Sequence, residues 1–190
     1  MVLDDSIQKI FNYHELSKHE YYNFAPSLGY MDWANQPDPF RRYEGSESVP
    51  LKHFENLTVP SFGPSFDDAL IDSKISSEDL NFETVSRLFY NSMALSAWKS
   101  YQGSKWALRV NPSSGNLHPT EAYFISGPID GLFKETTISH YLSETHCLEK
   151  RTIFPAPVWK VLKEGFPDQT VFIGLSSIYW REAWKYGERA

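Results

Sequence analysis

Residues 109–124 bring together the side chains best suited to hold a polar ligand. They are Arg109, then Pro112, Ser113, Ser114, Gly115 and Asn116, then His118, Glu121 and Tyr123. Pro, Ser, Ser, Gly and Asn in succession make a tight turn. Such a turn presents several backbone N–H groups beside small side chains, so a flat polar ligand can approach the main chain closely. Asn116 adds a donor and acceptors. Arg109 adds a fixed positive charge that suits a phosphate. The plain alternative is a turn that only connects strands, and spacing alone favours it.

Other combinations carry less. Ser96-Ala97-Trp98-Lys99 matches S-x-x-K, but neither S-D-N nor K-T-G follows. Ser113 or Ser114 with His118 would make a nucleophile–base pair, for which Glu121 is the one orienting carboxylate at hand. His140, His146 and Cys147 cluster without the spacing of a zinc ribbon or a zincin, so no metal site is expected. Arg41-Arg42 follows a proline-rich turn and is read first as a solvated pair, second as an anion contact. No G-x-G-x-x-G or Walker-type loop occurs.

The elements that must position these residues follow from pattern. Residues 4–19 have roughly helical apolar spacing behind Asp4 and Asp5. Residues 21–64 are too rich in proline for long helices or central strands, yet carry many aromatics. They read as an extended arm packed on the body or on a partner. Residues 82–100 form the strongest amphipathic helix, with Asn81 as N-cap but short of a full capping box. Strands are expected at 106–110, 121–126 and 138–142, with a short helix at 157–164. A strand buried on both faces is expected at 170–176, then a helix over 178–190. The tryptophans are read as mostly core. The order of elements makes the class α+β. The domains are 1–64, a helix and arm, and 65–190.

Composition bounds the function. The chain has 190 residues with a net charge of −6, and its aromatic content is 16%. That excludes a broadly cationic nucleic-acid binder. The lone Cys147 excludes an internal disulfide framework and points to a reducing compartment, hence the cytoplasm. No signal-peptide pattern or membrane-length apolar run is present, so no membrane partner is expected. The sequon Asn56-Leu57-Thr58 has little meaning without a secretion signal.

The string Pro112-Ser113-Ser114-Gly115-Asn116-Leu117-His118-Pro119-Thr120-Glu121-Ala122-Tyr123 resembles the flavin-contacting loop of the nitroreductase family, and more closely its SagB-type dehydrogenase branch. Ser27–Pro37 with Phe40-Arg41-Arg42-Tyr43 resembles the arm before the first unit of tandem SagB-type proteins. Leu95-Ser96-Ala97-Trp98-Lys99 resembles the helix ahead of their flavin loop. Two departures stand out. The family's early Arg-Arg-Ser-x-Arg phosphate segment has no counterpart between residues 60 and 82, where Phe66-Asp67-Asp68-Ala69 sits. The family fold also has a further C-terminal half, into which the helix at Trp180–Arg189 leads in relatives.

The resemblance implies the N-terminal portion of a nitroreductase-like FMN fold, with a mixed or antiparallel sheet and flanking helices. It implies an FMN-dependent oxidoreductase that passes electrons between NAD(P)H and a small organic acceptor, or that oxidises azoline rings in peptides. Arg109, Pro112, Ser113, Ser114, Gly115 and Asn116 would contact the cofactor. No catalytic acid or base is identified. The second half of the site would come from a homo-oligomer, typically a dimer, or from a second nitroreductase-like unit. A different class stays open: a non-catalytic fragment or interaction module that retains half of the fold. So does an unrelated α+β binding domain.

Overall fold

The computed structural model describes residues 4–53, 65–71, 74–75 and 77–190. The sequon at Asn56, the arm's Pro60, Gly63 and Pro64, and the residue 64 side of the domain boundary lie outside the described residues. In chain order the elements are α1 (Asp5–Ser17), β1 (Ser48–Pro50), α2 (Phe66–Ala69), α3 (Phe82–Met93), β2 (Leu95–Tyr101), β3 (Ser104–Arg109), β4 (Thr120–Ser126), β5 (Thr137–Leu142), β6 (Cys147–Ile153), α4 (Ala156–Leu162), β7 (Phe172–Ser177) and α5 (Tyr179–Tyr186). They fall into two compact units. The first holds residues 1–39, 112–121 and 176–190, and the second holds 40–111 and 122–175.

The second unit is built on a five-stranded sheet of order β1-β6-β5-β4-β7, with antiparallel pairing of β1 to β6, β6 to β5 and β5 to β4. Helix α3 supplies the core with Val85 and Phe89, both 1% exposed, beside Phe124, Tyr141 and Leu148. Phe89 stacks on Tyr141 with centroids 4.5 Å apart and meets Phe124 edge-on at 5.8 Å. These are favoured aromatic geometries. The strands at 106–110, 121–126 and 138–142 are confirmed within a residue or two.

Four expectations need correction. The helix expected over 82–100 stops at Met93, and Leu95–Tyr101 is a strand paired antiparallel with Ser104–Arg109. The segment likened to a family helix, Leu95–Lys99, is therefore part of a hairpin. Its turn is Gln102-Gly103, with φ of 47° and 83°. Two successive positive φ values suit a two-residue hairpin turn. Trp98 on a three- and four-residue spacing imitated the helix.

The capping box at α3 is also complete, because the Asn81 N–H donates to Thr84 Oγ1 at 2.9 Å while Asn81 Oδ1 accepts from the Thr84 N–H at 3.0 Å. Threonine does the work that glutamate usually does there. Third, β7 is not buried on both faces: Ile173 and Leu175 are exposed. It stands last in the sheet order beside β4, so among the described residues no further strand pairs with its other edge. Fourth, of the six tryptophans only Trp159 is buried.

In the first unit, Asp4 caps α1 through the Ser6 N–H, but no residue of α1 is buried. Helix α5 is tied to the residues before it. Trp184 Nε1 donates to the Asp32 carbonyl at 2.8 Å, and its ring meets Trp33 edge-on at 5.4 Å. Among the described aromatics of the arm, Tyr21, Tyr22, Phe24, Tyr30 and Trp33 are exposed, while Phe40 is buried.

Candidate functional site

The turn Pro112–Asn116 lies in the first unit, and its shape follows from its residues. Ser114–Asn116 is a single 3-10 turn in which Gly115 has φ of 65° and Asn116 φ of 59°. Glycine and asparagine tolerate this left-handed region best. The turn is closed by its own side chains. Ser113 Oγ accepts the His118 N–H at 2.8 Å, and the Asn116 N–H donates to the Ser113 carbonyl at 3.1 Å. His118 Nε2 meets Asn116 Oδ1 at 2.9 Å. The amide oxygen only accepts, so Nε2 carries the proton there. The ring of His118 thus serves Asn116 and not a serine hydroxyl.

Beneath the turn lies a buried ion pair. Arg181 Nη1 donates to the Glu121 carboxylate and, at 2.7 Å, to the His118 carbonyl, while Nε donates to the Asp38 carbonyl at 3.0 Å. Both side chains are 4% exposed. Glu121 therefore holds Arg181, and the Ser–His–Glu arrangement considered from sequence is not assembled.

Two residues that the sequence reading did not single out stand over the turn. A Cβ built on Gly115 would lie 2.8 Å from Lys185 Nζ and 2.9 Å from Tyr186 Oη. Ser114 Oγ and Tyr186 Oη share a hydrogen bond of 2.7 Å. They sit on α5, one turn after the buried Arg181, and no local sequence signal ties them to the turn. The turn thus gathers an ammonium, a phenol, a serine hydroxyl and an amide around a glycine without side-chain bulk. Lys185 and Tyr186 fill the space that a side chain at residue 115 would take, so only glycine fits beneath them.

Arg109 belongs to the second unit, at the end of β3. It is 9% exposed, and its guanidinium carbon stands 5.0 Å from the Phe40 ring centroid. The other candidates have structural partners in the same unit. His140 Nδ1 pairs with the Glu149 carboxylate at 2.8 Å, and Arg42 pairs with Glu144 at 2.7 Å. His146 takes the Tyr141 hydroxyl at Nδ1 and bonds the Lys52 carbonyl through Nε2.

Among solved structures, a candidate nitroreductase from Anabaena variabilis ATCC 29413 superposes with a TM-score of 0.64 at 26% identity, over 94% of this chain. The fold is nitroreductase-like. This chain spans 34% of the length of that Anabaena chain. No family model and no curated protein matches the sequence. The nitroreductase-like fold here is the mixed α+β architecture with an antiparallel sheet and flanking helices. Among the described residues, no helix is long and apolar enough to cross a membrane.

Proposed function

We propose that this chain forms part of an FMN site in an oxidoreductase of the SagB-type branch of nitroreductases. The observation that carries the reading is the left-handed Gly115–Asn116 turn, on which Ser114, Asn116, Lys185 and Tyr186 gather as a donor set that suits the carbonyl-bearing edge of a flavin ring. The likeness to the Anabaena structure supports it. Ser113, Ser114 and Asn116 would face the flavin, with Pro112 setting the entry to the turn and Gly115 letting Lys185 and Tyr186 close on it. Arg109 would offer a cation to the phosphate. Lys185 and Tyr186 join them as donors.

When bound, FMN supplies two-electron transfer between a reductant such as NAD(P)H and a small organic acceptor or an azoline ring. The chain's own part is to bind and orient. The turn holds donors in a fixed array, and the Arg181–Glu121 pair keeps that array from shifting. A dimer partner or a second nitroreductase-like unit would supply the rest of the site, with this chain as an N-terminal portion made of the arm 1–64 and the body 65–190. The lone thiol of Cys147 supports a cytoplasmic setting.

A second reading, an interaction module, is favoured by the arm's exposed rings: Tyr22 is 93% exposed and Tyr30 85%. Anaerobic addition of NADH or NADPH to the FMN-loaded protein separates the two. Bleaching of the flavin's visible absorbance supports the oxidoreductase. Failure to load FMN at all supports the module.

A further inference from the structure

We infer that a cavity of the second unit, walled by Trp159, Lys163 and Thr170, binds a small neutral carbonyl compound with a short apolar chain. The inference does not rest on the flavin reading and shares no residue with it. The cavity measures about 300 Å³. That is the small end of ligand pockets, which run about 300–1,000 Å³. Leu80, Ile129 and Val171 give it an apolar side. Ile129 belongs to the core beneath the sheet and the other two pack against that core, so this side is fixed.

Two polar groups of the wall lack partners. Trp159, on α4, is 9% exposed, and its indole N–H makes no hydrogen bond with a described residue. Ser126, at the end of β4, is fully buried, and its hydroxyl also lacks a partner among the described residues. Buried polar groups are nearly always paired, so two orphans in one wall call for a cause. The indole is also held in place. A Cβ on Gly127 would lie 2.6 Å from Trp159 Nε1, so only glycine lets the ring sit there, and Phe172 meets it edge-on at 5.7 Å. An indole N–H can only donate, so the ligand must bring an acceptor. The half-buried Thr170 hydroxyl borders the same cavity and makes no hydrogen bond with a described residue. It can give a hydrogen bond or take one.

Charge decides which acceptor. Lys163 Nζ donates to the Asp168 carboxylate at 3.2 Å and to the Asp168 carbonyl at 3.3 Å. Asp168 lines the cavity too, so the two charges answer each other there. A carboxylate ligand would meet the Asp168 carboxylate, and like charges brought together disfavour it. A neutral carbonyl oxygen avoids that repulsion and still accepts the indole N–H. Its chain lies against the apolar side.

The test is nitrogen–proton NMR of the full chain, with the Trp159 indole signal assigned by sequential backbone spectra. The probes share one branched skeleton: methyl isobutyl ketone, isovaleramide, isovalerate and isoamyl alcohol. The ketone and the amide should each shift the Trp159 signal downfield with saturation. The charged isovalerate and the carbonyl-free alcohol should bind several-fold more weakly. A shift by only one carbonyl compound narrows the class and supports the site. Trp159→Phe keeps a ring and loses the donor, so ligand-observed titration should show a loss of about 2- to 12-fold in affinity for the carbonyl compounds. Thr170→Val, at a half-buried position, should also weaken them, and it decides the case if Trp159→Phe does not fold. Circular dichroism checks folding. The inference is overturned if neither carbonyl compound shifts the Trp159 signal, if isovalerate or isoamyl alcohol binds as tightly, or if every folded variant binds like the wild type.

Discussion

Arg181 of α5 and Glu121 of β4 form an ion pair in which both side chains are 4% exposed. The same guanidinium bonds the carbonyls of His118 and Asp38, so one side chain fixes the end of the glycine turn and the chain before it.

Removing one member of this pair takes from the other buried charge its partner in this pair. Arg181→Met or Glu121→Leu should lower the unfolding free energy by about 3–5 kcal/mol. The double variant should lose less than the sum, because the two side chains interact directly. Urea denaturation of the two single variants and the double one gives the coupling directly.

Arg109 separates a phosphate contact from a packing role. If it meets the FMN phosphate, Arg109→Ala should weaken FMN binding about 10- to 150-fold and riboflavin binding much less. Its burial and its place beside Phe40 predict a stability loss as well. Equal losses for the two flavins would assign Arg109 to packing alone.

His146 gives the fold a pH dependence. Burial is the largest influence and pushes its pKa below the ordinary 6.5. The bonds agree: burial also keeps the Tyr141 phenol protonated, so it donates to Nδ1, and Nε2 donates to the Lys52 carbonyl. A proton on Nδ1 would oppose the phenol's proton. The unfolded chain therefore binds this proton more readily than the folded one. The contribution of neutral His146 is complete above the unfolded pKa near 6.5 and is lost as pH falls through it towards the lower folded value. The urea midpoint should fall between pH 7.5 and pH 5.5, and His146→Gln should flatten that slope.

How much the sequence disclosed depended on what each segment buries. The sheet strands 121–126 and 138–142 were legible because the apolar side chains Phe124 and Tyr141 face one core. Strand β6 was not, because Glu149, Lys150 and Arg151 broke its apolar run. Glu149 is buried there only because His140 and the Tyr43 N–H satisfy it. The hairpin after α3 was misread because Trp98 is exposed and kept a helical spacing by accident. The turn at 112–116 was legible from its small residues, whereas Lys185 and Tyr186 were not. They reach the turn from a distant part of the chain, and no spacing rule carries that information.

The central claim is that the Gly115 turn holds a flavin, and an FMN titration of the wild type and Gly115→Val tests it most directly. Valine at φ of 65° is strained, and its Cβ would meet Lys185 and Tyr186. The two proteins should be compared at equal concentration, by quenching of flavin fluorescence, after circular dichroism shows both folded. The account predicts saturable FMN binding by the wild type and its loss in Gly115→Val. Equal FMN binding by both folded proteins would contradict it.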